Sequence, residues 1–236
     1  MYHIRADTQI MSKSFLLILL LFTSVLLNSQ EVLRGQVTVE LVPVVGGYMD
    51  VRYPLGTEEA HRRALEEAAY YFSAQIYGWA FHYDIGERAR GIAEEFELTP
   101  LGEIRWGDAS LEVTHAHLEN STLSVWMDYR PKEYQHRRLE MWRVGNIRTA
   151  QGIGEGPLGS PFEVSDWFDF KKAAMEDAAR AAIRAMLQAQ ERNRPKEVRG
   201  LISLESFPNY HIGAGRWAAQ ALFRVLIEEI IPFAAH

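Results

Sequence analysis

From residue 30 onward the hydrophobic pattern switches between a period of two and a period near 3.6. In "GQVTVELVPVVGGYMDVRY", Val37, Val39 and Leu41 alternate with Gln36, Thr38 and Glu40, which predicts a half-buried strand. Gly46-Gly47 supplies a tight turn, and "YMDVRY" predicts a returning strand ended by Pro54. "TEEAHRRALEEAAYYFSAQIYGWAFHY" predicts a helix with Thr57 at its N-cap, an apolar stripe from Leu65 to Tyr83, and Gly78 inside it. From Leu101 to Val144 the period returns to two. "SLEVTHAHL", "TLSVWMDY" and "RRLEMWRV" predict three strands of a meander, with "LGEIRW" a fourth.

"DWFDFKKAAMEDAARAAIRAMLQAQERNR" predicts a second long helix. Ala174, Ala178, Ala181, Ala182, Ala185 and Ala189 form a face small enough for close approach, and Pro195 stops the helix. "EVRGLISLES" predicts a strand, and "GRWAAQALFRVLIEEII" a final amphipathic helix closed by Pro232. Together these predict an α+β domain over 30–236: an antiparallel meander sheet packed against two or three amphipathic helices, with a glycine-rich connector at 149–165.

The first 29 residues follow neither pattern. Lys13 precedes an apolar run from Phe15 to Leu27, after which small and polar residues follow. That is the layout of a cleavable signal peptide, with Met11 as the expected start. The run is too short for a stable span, which needs about 20 residues. Processing between about Leu27 and Glu31 would leave no membrane anchor. The chain has no cysteine, so neither a lipid-anchored precursor nor a disulfide framework fits. These features point to a periplasmic or other extracytoplasmic location.

Charge narrows the partners. With 25 basic and 31 acidic residues the chain carries a net charge of −6. It has no basic block of the kind that binds nucleic acid or anionic lipid.

Candidate chemistry is sparse. His115 and His117, in "LEVTHAHLEN", share one face of a predicted strand. They are the start of a metal site, but zinc takes three or four ligands, and no third is spaced to join them. His136 is distant in sequence, and Glu112 shares their face only if the strand is irregular. If the hairpin pairs residue 119 with 122, His115 lies opposite Trp126 and His117 opposite Ser124; if the register shifts by one, they face Val125 and Leu123, and neither register adds a ligand. "GEGPLG", residues 154–159, matches the spacing of a dinucleotide-binding loop. Pro157 removes one phosphate-binding N–H and Glu155 adds repulsion, so no nucleotide cofactor is expected. No nucleophile elbow or paired-carboxylate spacing stands out, and no catalytic residue is assigned.

Six tryptophans remain. Trp79, Trp126 and Trp142 are the candidate ligand- or partner-binding residues, with Trp126 and Trp142 on adjacent predicted strands. The stretch "TEEAHRRALEEAAYYFSAQIYG" loosely resembles the first domain of some bacterial envelope and flagellum-assembly proteins, and transfers no functional residue. The sequence reads as an exported, non-enzymatic binding or accessory domain whose partner is another envelope protein. Two alternatives stand beside it: a periplasmic metal binder or metal-dependent enzyme using His115 and His117, and a small-ligand binder with a pocket between sheet and helix.

Overall fold

The computed structural model describes residues 31–46, 52–86, 91–159, 168–190 and 195–232. The leader therefore lies outside the described residues, as do most of the predicted returning strand at 48–53 and the second half of the connector. Among the described residues twelve elements follow in order: β1 (Leu33–Glu40), α1 (Thr57–Ile76), β2 (Trp79–Asp84), β3 (Glu95–Pro100), β4 (Leu111–Glu119), β5 (Thr122–Tyr129), α2 (Glu133–Met141), β6 (Arg148–Glu155), α3 (Asp169–Gln190), β7 (Pro195–Leu204), β8 (Asn209–Gly213) and β9 (Arg216–Pro232). The domain is α+β, as predicted. Its strands form two sheets: a three-stranded one ordered β1-β5-β4, and a six-stranded one ordered β3-β2-β7-β9-β6 with β8 also on β9. Every strand pairing is antiparallel.

β1 pairs with β5, and most of its predicted hairpin partner lies outside the described residues. Five predicted elements are corrected. The long first helix ends at Ile76, because Gly78 takes a φ of +68° and the Tyr77 amide closes the last turn on the Ser73 carbonyl at 2.8 Å. A left-handed glycine just past the last turn is a standard helix stop. A Cβ on Gly78 would also lie 2.7 Å from the Trp142 ring, so glycine is required twice over. Trp79, Phe81 and Tyr83 lie beyond that stop and are the buried alternate residues of β2. "RRLEMWRV" lies in and just after the helix α2. The buried Gln135 caps α2 by accepting the Lys132 amide at 2.7 Å, and Leu139 packs inward. "LGEIRW" is irregular.

The last correction is the largest. Residues 216–232 are a single 17-residue strand at the centre of the large sheet. Trp217, Ala219, Ala221, Phe223 and Val225 alternate into the core. Ala219 and Ala221 are small because α3 lies over them. The first half of the connector is likewise the strand β6, whose inward residues are Ala150, Gly152 and Gly154. A Cβ on Gly152 or Gly154 would overlap the backbone of Ala178 in α3. The alanine face of α3 is turned accordingly. Ala174, Ala178 and Ala182 are fully buried, Ala181 is half-buried and Ala185 is exposed.

α1 covers β1, β5 and part of β7, while α3 covers β6 and β9. The two helices are joined by a buried ion pair. Lys171 Nζ donates to both oxygens of Glu67, at 2.9 and 3.0 Å, and to the Thr38 carbonyl of β1 at 2.9 Å. The hydroxyl of Tyr71 completes the cluster, 3.1 Å from Glu67 and 2.8 Å from the Tyr210 hydroxyl. Burial pushes the Glu67 carboxyl above its usual value, against the pull of Lys171. Each group in this cluster has partners, as buried polar groups must.

Candidate functional site

The β4–β5 hairpin is built from the turn outward. Asn120 and Ser121 both take positive φ, +49° and +65°, the signature of a two-residue primed turn. Glu119 pairs with Thr122, which sets His117 opposite Ser124 and His115 opposite Trp126. This is the first of the two registers that the sequence allowed. The His115 and Trp126 rings lie 5.2 Å apart. A bulge interrupts the ladder between Val113 and His115, and the Thr114 hydroxyl donates to the Trp126 carbonyl at 3.1 Å. Because of that bulge Glu112 pairs with Asp128 and joins the histidine face. It is engaged by Arg130 at 2.6 Å. Glu119 lies 3.7 Å from His117.

The pair that flanks a two-residue turn exchanges both backbone hydrogen bonds, and residues then alternate along the strand. Glu119, His117 and His115 therefore bond toward β5. Leu118 and Ala116 turn their N–H and C=O groups to the other edge, where no strand lies among the described residues. On β4 the face opposite the histidines is also uncovered among the described residues. On β5 this face (Leu123, Val125, Met127 and Tyr129) is sealed under α1. On β4 the continuation of the face is Leu118, Ala116 and Val113, which sit opposite Leu123, Val125 and Met127. Val113 is 43% and Leu118 50% exposed. The helix stops short of β4. A nine-residue strand thus offers an open edge and an uncovered apolar side together. Edge strands are usually guarded by lysine, proline or bulges. β4 contains neither lysine nor proline, and its one bulge lies N-terminal to His115.

The tryptophans singled out in the sequence are not gathered into one surface. Trp142 follows α2, is buried, and donates its indole N–H to the Ile76 carbonyl at 3.0 Å; it does not neighbour Trp126 on an adjacent strand. Trp79 is buried and forms part of the floor of a cleft of about 310 Å³ between α1 and residues 100–106, with Tyr70, Ile104 and the exposed Trp106 on its walls. That is small for a ligand pocket. Its hydroxyl from Ser73 is already used, donating to the Ala69 carbonyl and accepting the Ile104 amide. Trp126 alone lies on the outer face of the small sheet, beside Arg34 and Asp128. No group of three or more His, Asp or Glu side chains converges as a metal site among the described residues. Likewise none of their helices is long and apolar enough to cross a membrane. Gly154 and Gly156 of the "GEGPLG" match approach the backbone of α3, so these glycines serve helix packing.

Fold and edge together define an α+β domain with an open-edged minor sheet. A family model matches residues 22–233, and the chain belongs to that family, which is one of unknown function. An uncharacterised protein of Treponema pallidum (strain Nichols) is 24% identical over 171 residues, covering 72% of this chain and 69% of that protein. No solved structure matches the chain.

Proposed function

We propose that the protein is an exported, non-enzymatic binding domain that engages its partner by strand addition at β4. The observation that supports this reading is the combination on one strand of a free ladder edge and the uncovered Val113 and Leu118. An added strand would satisfy the N–H and C=O groups of Ala116 and Leu118 and would cover their apolar side. The location rests on the leader. Mass spectrometry of the protein from its native host should find an N-terminus between about Leu27 and Glu31.

The binding reading is tested with a photo-crosslinking residue placed at Ala116 in the native host, with Ile153, exposed on β6, as the control position. A discrete adduct is expected from position 116 and not from 153, and Leu118→Lys should abolish it. Equal adducts from both positions, or none from 116, would end the reading.

A further inference from the structure

In one protomer, His115 and His117 are half of a metal site. They share the outer face of β4, at positions whose own backbone groups bond inward to β5. The open edge beside them has a symmetry that a foreign strand would not use. The segment His115-Ala116-His117 reads the same in both directions. If two copies of β4 meet antiparallel about Ala116, the outward-turned N–H and C=O of one Ala116 bond those of the other. Each His115 then lies opposite the second chain's His117. Those histidine pairs are the non-hydrogen-bonded kind, in which opposing Cα atoms approach to about 4.5 Å and side chains are closest. Along each strand the two histidines are about 7 Å apart. Four imidazoles from one side of a continuous sheet thus surround a single point.

We infer that β4 pairs with β4 of a second copy of this chain, and that His115 and His117 of both copies hold one divalent transition-metal ion of the zinc class between them. The inference rests on the strand-addition reading above and names its occupant. Zinc is satisfied by four nitrogen ligands at about 2.0–2.1 Å, which is the number that two copies provide and one does not. Charge points the same way. β4 has no lysine or arginine, and Glu112 is already paired with Arg130, so the Glu119 carboxylates are the charges that a divalent cation would offset. The surroundings suit ligation. Glu119 lies 3.7 Å from His117 Nε2, near enough to become the carboxylate partner of an imidazole that ligates through Nδ1, and the Trp126 ring packs beside His115. On the opposite face the two Ala116 side chains meet, and Leu118 of each copy lies opposite Thr114 of the other. The bulge at Thr114 confines the regular part of that ladder to residues 115–117 of each copy, the segment that carries the histidines.

The test uses the chain purified without a tag from its native host, and sedimentation equilibrium with zinc or with chelator. Zinc should double the mass, the chelator should reverse it, and elemental analysis should give one ion for every two chains. Cobalt in place of zinc should give the intense visible bands of a tetrahedral site. His115→Ala and His117→Ala should each abolish the doubling while leaving the melting curve in place. His82→Ala, which removes an exposed histidine of the large sheet paired with Glu197, should leave the doubling intact. An unchanged mass at saturating zinc, or a doubling that survives loss of either β4 histidine, would overturn the inference. The two readings fail separately. If zinc leaves the mass unchanged while the adduct from position 116 still forms and is lost in Leu118→Lys, strand addition stands with a different partner and the metal-linked pair falls.

Discussion

β6 and β4 are both edge strands of almost equal length, and their inward faces are opposites. On β6 the inward residues are Ala150, Gly152 and Gly154, and α3 lies so close that any Cβ on either glycine would meet its backbone. On β4 they are Val113, Ala116 and Leu118, and nothing among the described residues lies over them. Side-chain size is therefore inverted relative to cover: the covered strand has almost no side chains, and the uncovered one has apolar ones. A glycine-rich stretch such as β6 is thus a strand and not a loop where a helix backbone packs on it, and an exposed leucine such as Leu118 marks missing cover. In the first case the helix supplies the missing volume. In the second a partner is the natural source of it.

The comparison can be broken hardest at the fastening of α3, the element that covers β6. Lys171 stands near its start and reaches Glu67 of α1. Glu67→Gln would leave a buried, unpaired ammonium and should destabilise the protein by about 3–5 kcal/mol in urea titration. The double change Glu67→Leu with Lys171→Met should recover most of that loss, since well-packed apolar replacements of buried ion pairs are often neutral. A single variant as stable as the parent would show that the pair does not hold α3 in place.

Next come the glycines. Gly154→Ala places a methyl group against the Ala178 amide, where backbone and not a flexible side chain must yield. A loss at the upper end of the roughly 1–3 kcal/mol range for overpacking is expected. Its counterpart on the other edge strand, Ala116→Val, should change stability by less than about 0.5 kcal/mol. The same contrast runs along α3 itself. Ala178→Leu, on the buried side, should cost about 1–3 kcal/mol, and Ala185→Leu, on the exposed side, close to nothing. Thermal melts of the four variants rank them directly. Similar losses from Ala178→Leu and Ala185→Leu would mean that α3 is rotated about its axis, away from the orientation that buries Ala178 and exposes Ala185.

Much of the fold is legible in the sequence, and the failures have physical causes. β1, β4, β5 and β7 announce themselves by alternation, and α3 by its small-residue stripe. β9 imitates a helix because a central strand facing α3 needs alanine where strands usually carry branched residues. Ala218, Ala219 and Ala221 therefore give it a helical composition. The region from Tyr77 to Tyr83 imitates one too, because Trp79, Ala80 and Tyr83 happen to continue the stripe of α1. Gly78 is the signal that the helix ends, and its meaning depends on a φ that the sequence does not state. Residues 137–144 resemble a strand because Leu139 and Met141 alternate, whereas the Lys132-to-Gln135 cap that starts α2 has no standard capping pair. Of the site, the sequence narrows His115 and His117 to two registers, and the positive φ of Asn120 and Ser121 selects the one that pairs residue 119 with 122. That α1 stops at β5 is not legible there, because cover is set by where a distant helix comes to rest.

The smallest expected change in stability carries the sharpest test of the comparison. Leu118 is half exposed and lies on the open side of β4, so Leu118→Lys removes no core contact and should shift stability by less than about 0.5 kcal/mol. The same substitution installs the guard that edge strands commonly carry, a lysine that an added strand would have to desolvate. If the uncovered face of β4 is an interface, the variant folds and melts like the parent but loses the adduct at position 116 and, with zinc present, stays at the mass of one chain. If instead Leu118 is merely a tolerated surface residue, both measurements stay unchanged. β4 would then be an exposed edge like β6, and the distinction between the two strands would have no functional content. A large fall in melting temperature would contradict the uncovered position of Leu118 itself and return it to the core.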